Sequence, residues 1–254
     1  MLFRQIILNA IIIGFATGLL FTLFQQFQVA PIIFAAEKYE LVDETPITTT
    51  RSDAHASGHA AHQHDEATWA PEGGAERLLY SIASNISAGI GFAAILLAMM
   101  SLSQLQGLSQ VTLAKGLVWG IAGFVVFFVS PGLGLPPEIP GIEVAPLELR
   151  QWWWIFAVLA SAAGLALIAF APKLRKLAGV GFIGLPHVLG APHTTGPKFN
   201  HPDPDAVAVL SELHQQFIIA SGVANFVLWL SLGLVCAWAV NRWVLKDVSA
   251  PAEA

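Results

Sequence analysis

Charged residues are scarce in this chain, and their scarcity excludes an ordinary soluble domain. They make up 11% of the 254 residues, whereas 55% of the residues are hydrophobic. A soluble domain carries about 25% charged residues, because water must solvate its surface. The natural solvent for this chain is therefore the lipid bilayer. The chain also lacks the clustered Lys and Arg residues that indicate nucleic-acid binding.

Cysteine and the common enzymatic motifs are also scarce or absent. Cys236 is the only cysteine, which excludes a disulfide within the chain, and its apolar surroundings are typical of a small packed side chain. The sequence has neither the G-x-x-x-x-G-K-[ST] loop that binds ATP nor the H-E-x-x-H motif of metalloproteases. No group of residues indicates catalysis. We therefore predict that the chain is not an enzyme and holds no permanent cofactor.

What the sequence does contain is a series of long uncharged apolar runs. A helix that spans a bilayer needs about 20 apolar residues. The first run is longer than the apolar part of a signal peptide, so it is expected to be retained. The pattern predicts an all-α integral membrane protein, one membrane domain over residues 1–254. Its spanning runs are Ile6–Ile33, Ile82–Leu102, Gly116–Val129 (extended back towards Val111), Trp152–Ala171 and Phe217–Val240.

A sixth run is too short to span in the ordinary way. It covers Ala178–Leu189 and includes three glycines and Pro186. Short apolar segments interrupted by Gly and Pro are typical of re-entrant or discontinuous helices. The sequence therefore predicts one short, broken segment near 178–190, in a bundle of five to six transmembrane helices.

The distribution of Lys and Arg predicts the orientation of these helices. Loops rich in Lys and Arg stay on the cytoplasmic side, which places the N-terminus inside. It also places residues 37–77, a His-rich acidic loop, outside the cytoplasm of a bacterial inner membrane. Residues 191–215 form a second predicted loop, polar and rich in Pro and His. Charge bias favours six crossings, whereas run length favours five and a re-entrant piece.

Four histidines in the first loop, His55, His59, His62 and His64, are candidate metal ligands. Imidazole binds zinc, copper, nickel and cobalt, and neighbouring carboxylates would add negative charge. On a helix the first three would share one face, because they are spaced by four and three residues. A solvated loop without a ligand would have the same composition.

Three further carboxylates and one histidine are candidate metal contacts. Glu37 and Glu40 lie where the first helix meets the acidic loop, at an oxygen-rich entrance for a cation or at an ordinary charged membrane boundary. Glu138 is the only charge in the proline-rich stretch 131–141, which is otherwise a structured loop. His187 follows Pro186 in the short run, either on the solute path or as a packed histidine.

Several short elements resemble the CbtA family of predicted cobalt transporter subunits. They are Ala36–Glu40, which matches its AE-x-YE element, the 131–141 stretch with its PPEIPG, Arg150–Trp154, and Leu185–His187 followed by Gly190–Pro192. The resemblance covers roughly Met1 to Arg242. It implies cobalt uptake linked to cobalamin synthesis, about five helices, and a small single-helix partner, CbtB.

These observations favour a protein that moves a divalent transition-metal ion, with cobalt indicated by the resemblance, across a membrane. Its expected partners are the metal ion and lipid, with a homo-oligomer left open and no nucleic acid. A membrane-bound metal sensor or accessory subunit is the main alternative. A membrane enzyme or redox subunit is a third, and colour from haem or flavin would reveal it.

Overall fold

The computed structural model describes residues 2–40 and 74–246, without the side chain of Glu40. This part of the chain is all helical apart from turns and one isolated bridge between Ile142 and Phe199. The α-helices are α1 Leu2–Phe24, α2 Ala30–Glu40, α3 Ala75–Leu105, α4 Leu113–Phe124, α5 Ser130–Gly134, α6 Leu147–Phe170, α7 Arg175–Leu189 and α8 Pro204–Ala239. Three π-helical turns, Gln25–Val29, Val125–Val129 and Val240–Val244, continue α1, α4 and α8.

Five helical stretches among the described residues are long and apolar enough to cross a bilayer. Many of their large apolar side chains point away from the protein: Phe3, Ile12, Phe27 and Leu159 are between 63% and 80% exposed. Side chains of this kind are stable outside the core only against lipid. The prediction of an all-α membrane protein is confirmed. The spans are Leu2–Tyr39, Ala75–Leu105, Leu113–Gly134, Leu147–Phe170 and Pro204–Val244.

The helices pack as antiparallel pairs whose backbones meet at glycines. In the α1–α3 pair, a Cβ added at Gly14 would collide with the backbone of Gly89 and Ile90. One added at Gly18 would lie 2.6 Å from the Cα of Ile86. Small residues allow this close approach, which replaces the hydrophobic driving force that is missing in lipid.

Two further helix pairs also meet at glycines. Gly116 and Gly120 of α4 lie against the backbone of α8 near Gly233 and Trp229. In the α6–α7 pair, a Cβ at Gly164 would lie 2.6 Å from the carbonyl oxygen of Gly179. The G-x-x-x-G spacing of Gly116 and Gly120 therefore marks a real helix contact.

Helix α7 is short, as predicted, but it is not interrupted. It has 15 residues, which correspond to a length of about 22 Å, less than the roughly 30 Å of a hydrocarbon core. Pro186 lies in the last turn of α7. Its missing N–H removes one backbone hydrogen bond near the end of the helix and therefore disturbs few residues. Gly190, with φ of 82°, ends the helix. Of the three glycines inside α7, Gly179 packs against α6, and Gly181 and Gly184 are accommodated without a break in the helix.

Although only five helical stretches are long enough to span a bilayer, the chain passes from one end of the bundle to the other six times. Glu37 and Arg77 form an ion pair, and Tyr39 contacts His201. Gly134 approaches Ala191. These contacts place residues 36–40, 74–77, 134–146 and 190–203 at one end of the molecule, here called the acidic end. Helix α7 therefore returns the chain to the acidic end, as the charge bias required.

The other end of the bundle, here called the basic end, contains residues 2–5, 105–115, 171–176 and 241–246. Its contacts include a hydrogen bond of 2.8 Å from Asn241 Nδ2 to the carbonyl oxygen of Val111. The chain's described acidic residues lie at the acidic end. The basic end carries Arg4, Lys115, Lys173, Arg175, Lys176, Arg242 and Lys246.

The polar segment predicted as a loop over 191–215 is helical from Pro204 onwards. Asp203 caps this helix, since its side chain accepts a hydrogen bond of 2.9 Å from the backbone N–H of Asp205. Proline at the first helical position needs no hydrogen-bond partner. The residues after it therefore extend α8 above its apolar part, at the acidic end.

Proline explains two of the three π-helical turns. Pro31 and Pro131 each lie two residues after the last residue of a π turn. In an α-helix the proline ring would collide with the carbonyl group four residues earlier. The wider turn relieves that collision: Ala30 N–H donates to the carbonyl oxygen of Gln25 instead of to that of Gln26. A carbonyl oxygen in the turn before the proline is thereby left without its backbone donor.

Candidate functional site

A polar cavity opens near the acidic end between α3 and the first membrane-spanning stretch, which begins with α1 and lines the cavity with its π turn and α2. Its volume is about 520 Å³. We call it the α1–α3 chamber. Every helix around it is part of a membrane-spanning stretch, so its polar walls lie in a largely apolar surrounding. Its lining residues are Gln25, Glu37, Arg77, Tyr80, Ser81, Ser84 and Asn85.

An ion pair marks the mouth of this chamber. Arg77 Nη2 lies 2.7 Å from Glu37 Oε1, and about a third of each side chain is exposed (34% and 30%). The Arg77 guanidinium also lies over the ring of Phe34, 5.1 Å from its centroid. Arg77 therefore occupies the position next to the carboxylate that an incoming cation would need.

A hydrogen-bond network of uncharged side chains connects two lining residues of the chamber, Gln25 and Asn85, to Thr22. Asn85 Nδ2 donates to Gln25 Oε1 at 2.6 Å and to Thr22 Oγ1 at 3.1 Å. The Thr22 hydroxyl in turn donates to the carbonyl oxygen of Gly18 at 2.9 Å. The network fixes the amide of Asn85, because both of its N–H groups are used. Polar side chains at membrane depth are costly unless paired, and are usually functional.

A second cavity lies among the loops of the acidic end, with a volume of about 400 Å³. Glu138 forms an ion pair there with Arg150, whose Nε is buried without a hydrogen-bond partner. His214, which is only 2% exposed, donates from Nε2 to the carbonyl oxygen of Pro137 at 2.9 Å. Glu143, His193 and Lys198 are further ionisable residues of this lining.

The predicted metal contacts are not brought together in one place. Glu37 lines the α1–α3 chamber, whereas Glu138 lines the second cavity. His187 lines neither and contacts Trp153 edge-on, with 6.0 Å between ring centroids. Glu40 is the last residue of α2 and its side chain is outside the described residues. His55, His59, His62 and His64 also lie outside the described residues.

Within residues 2–40 and 74–246, no three His, Cys, Asp or Glu side chains are grouped closely enough to hold a metal ion. The carboxylates of Glu37 and Glu138 are instead each neutralised by an arginine. Charge at both cavities is therefore balanced in this structure. A metal ion that binds at either carboxylate must compete with the paired guanidinium group.

Sequence reasoning missed the residues that make these cavities. Arg77 was treated as a loop boundary, and Gln25 and Asn85 were passed over within uncharged runs. The signal that would have found the two amides is their chemistry, because polar side chains are rare in spanning helices. Neither ion pair could be found in this way, since one joins two helices and the other joins a loop to a helix.

The fold and its cavities define a multi-pass α-helical membrane protein with polar cavities near one end of the helix bundle. A comparison with known families agrees: the profile of the CbtA family, described as a probable cobalt transporter subunit, matches residues 3–241. The chain belongs to the CbtA family. That membership supports a cobalt transporter subunit rather than an enzyme. No curated protein and no solved structure matches the chain.

Proposed function

We propose that this protein takes up a divalent transition-metal ion, cobalt(II), across the bacterial inner membrane. The observation that carries the proposal is the α1–α3 chamber, where a carboxylate at the mouth leads to amide and hydroxyl groups at membrane depth. Such a lining interacts favourably with a cation in an otherwise apolar bundle. Cobalt, rather than another metal, is indicated by the family, because ligand type alone does not single it out.

The histidine tract is proposed to collect the ion. It belongs to the segment between Glu40 and Gly74, and the Glu37–Arg77 ion pair brings the two helices that carry its ends together. A tethered ligand raises the local concentration of metal at the chamber mouth. The carboxylates of Glu37, Glu40 and Glu138 would then attract the ion, and His187 would act further along its path.

The charge distribution supports an orientation for this transport. With Lys and Arg concentrated at the basic end, the positive-inside rule places that end and the N-terminus in the cytoplasm. The chamber would then open outward, as uptake requires. Because the sequence has no ATP-binding loop, the driving force would be an ion gradient, the membrane potential or trapping of the metal, for example in cobalamin synthesis.

A second candidate, an accessory subunit, is favoured by the family description, which calls its members subunits. In that case the chain would hold or deliver metal, and a small single-helix partner of the CbtB type, or a second copy of the chain, would complete the path. Partner dependence separates the two candidates. A metal sensor would bind cobalt without moving it.

The decisive experiment is uptake of radioactive cobalt by cells that express this chain. It should be measured with and without a CbtB-like partner, and in competition with unlabelled cobalt, nickel and zinc. Uptake that unlabelled cobalt suppresses most strongly would support the proposal and the choice of metal. Uptake only with the partner would favour the accessory subunit. No uptake in either case, with the protein correctly inserted, would contradict transport.

The four histidines of the first loop are expected to capture the metal ion, and His187 is expected to act during its passage. Replacing His55, His59, His62 and His64 together with alanine should lower uptake mainly when cobalt is scarce, because an antenna matters only below saturation. His187→Ala should lower uptake at every cobalt concentration. Both are measured as uptake against cobalt concentration. The same fractional loss in both variants at all concentrations would contradict this division.

A further inference from the structure

The α1–α3 chamber is walled mainly by uncharged oxygen and nitrogen groups. Gln25, Ser81, Ser84 and Asn85 supply amides and hydroxyls. Glu37 is the single carboxylate among the described lining residues, and Arg77 neutralises it. Neutral amides and hydroxyls do not replace the water shell of a divalent ion easily, because stripping that shell costs far more than one such contact returns.

The hydrogen-bond network leaves one amide oxygen, Asn85 Oδ1, available as an acceptor at the chamber. Since both N–H groups of Asn85 are committed to Gln25 and Thr22, its Oδ1 is left for the cavity that the residue lines. The hydroxyl of Ser81 donates to the carbonyl oxygen of Arg77 at 2.8 Å, so its oxygen can accept a hydrogen bond from the cavity. These groups suit a ligand that presents hydrogen-bond donors.

The chamber is also large enough for an ion that keeps its water. Its volume of about 520 Å³ exceeds the roughly 180 Å³ that six water molecules occupy at about 30 Å³ each. An adjoining cavity of about 310 Å³ shares Gln25, Arg77 and Ser81 with it and continues to Ser221 of α8. The adjoining cavity is lined largely by apolar residues, so the polar surroundings that suit a hydrated ion are those of the chamber itself.

We propose that the α1–α3 chamber binds a divalent cation with its inner water shell intact. The coordinated waters donate hydrogen bonds to Asn85 Oδ1, to the serine hydroxyls and to the remaining lone pair of Gln25 Oε1, and Glu37 supplies the attracting charge once the ion displaces Arg77. This site deepens the proposed transport function and rests on it for its physiological role. Recognition here acts on hydrated size and charge, so selection among transition metals takes place elsewhere.

Hexaamminecobalt(III) tests this proposal directly. Its six ammonia ligands do not exchange, yet they donate hydrogen bonds as coordinated waters do, so it binds only to a site that accepts an intact shell. Its binding to the purified full-length chain is measured by titration calorimetry. We expect saturable binding that Asn85→Leu weakens at least tenfold. Asn225→Leu, which removes an amide that does not line the chamber, should leave the binding unchanged.

Gln25→Met serves as a second variant, should Asn85→Leu fail to fold, because methionine preserves the length of the side chain and removes its amide. No saturable binding of the complex to the wild-type chain would overturn the proposal. Equal binding by the wild type and a folded chamber variant would overturn it too. So would weakened binding of cobalt(II) ions without any change for the inert complex, since the chamber would then take a stripped ion.

Cobalt uptake is measured separately on the same wild-type protein. Wild-type uptake together with absent hexaamminecobalt binding would retain the transport function and reject the hydrated-ion site. Binding of the complex without any cobalt uptake, alone or with a partner, would retain the site and reject transport.

Discussion

Replacing Gly14 with valine is expected to destabilise the protein more than any other single change considered. The new side chain would have to occupy space filled by the backbone of Gly89 and Ile90 on α3. Backbone atoms cannot rotate away as a flexible side chain can, so the two helices would separate. Overpacking of this kind costs about 3 kcal/mol, and the apparent melting temperature in detergent should fall by roughly 5–10 °C.

Gly91→Val is the matched control for this change. Gly91 also lies in a membrane-spanning helix, but a Cβ there would meet nothing within 4 Å. Both variants alter the intrinsic helix propensity in the same way, so only the helix contact distinguishes them. Equal melting temperatures for the two variants would show that α1 and α3 do not cross at Gly14.

Neutralising Glu37 is expected to have the largest effect on transport. In Glu37→Gln the chamber loses the carboxylate at its mouth, while Arg77 keeps its charge and repels a cation. Both consequences weaken metal binding. The cobalt concentration for half-maximal uptake should rise about tenfold, which corresponds to about 1.4 kcal/mol. The measurement is initial uptake rate against cobalt concentration, corrected for the amount of inserted protein.

Two variants make this result specific. Glu148→Gln removes an exposed carboxylate from the first turn of α6, at the same end of the molecule, and should leave uptake unchanged. Arg77→Gln removes the cation that competes for Glu37, so it should lower the half-maximal concentration by about two- to fivefold, as expected for a partly exposed ion pair. An equal loss of uptake in Glu148→Gln would show that the effect of Glu37→Gln comes from general surface charge.

The two carboxylate–arginine pairs show why the candidate site could be anticipated only in part. Glu37 and Glu138 were predicted as metal contacts from their positions beside apolar runs. Arg77 lies on a different helix from Glu37. Arg150 lies on a helix, whereas its partner Glu138 lies in a loop. Pairing across helices depends on which helices are neighbours and on how far along the bundle each of the two residues lies. Neither quantity is encoded in local composition.

Local pattern and charge determined much of this protein by themselves. The uncharged runs specified the spanning helices, because a bilayer leaves the backbone few alternatives to a helix. The segregation of Lys and Arg predicted that the last helix ends at the same end of the bundle at which the first helix begins. The tertiary structure agrees, because α7 returns the chain to the acidic end before α8.

Only the tertiary structure decided how those helices fit together. It showed an unbroken α7 where a break was predicted, with Gly179 in contact with α6. It also placed Asn85 beside Gln25 and Thr22 to form a polar chamber. These outcomes depend on contacts between segments far apart in the chain, where close packing selects one register. A hydropathy pattern defines which residues face lipid, but it does not contain that register.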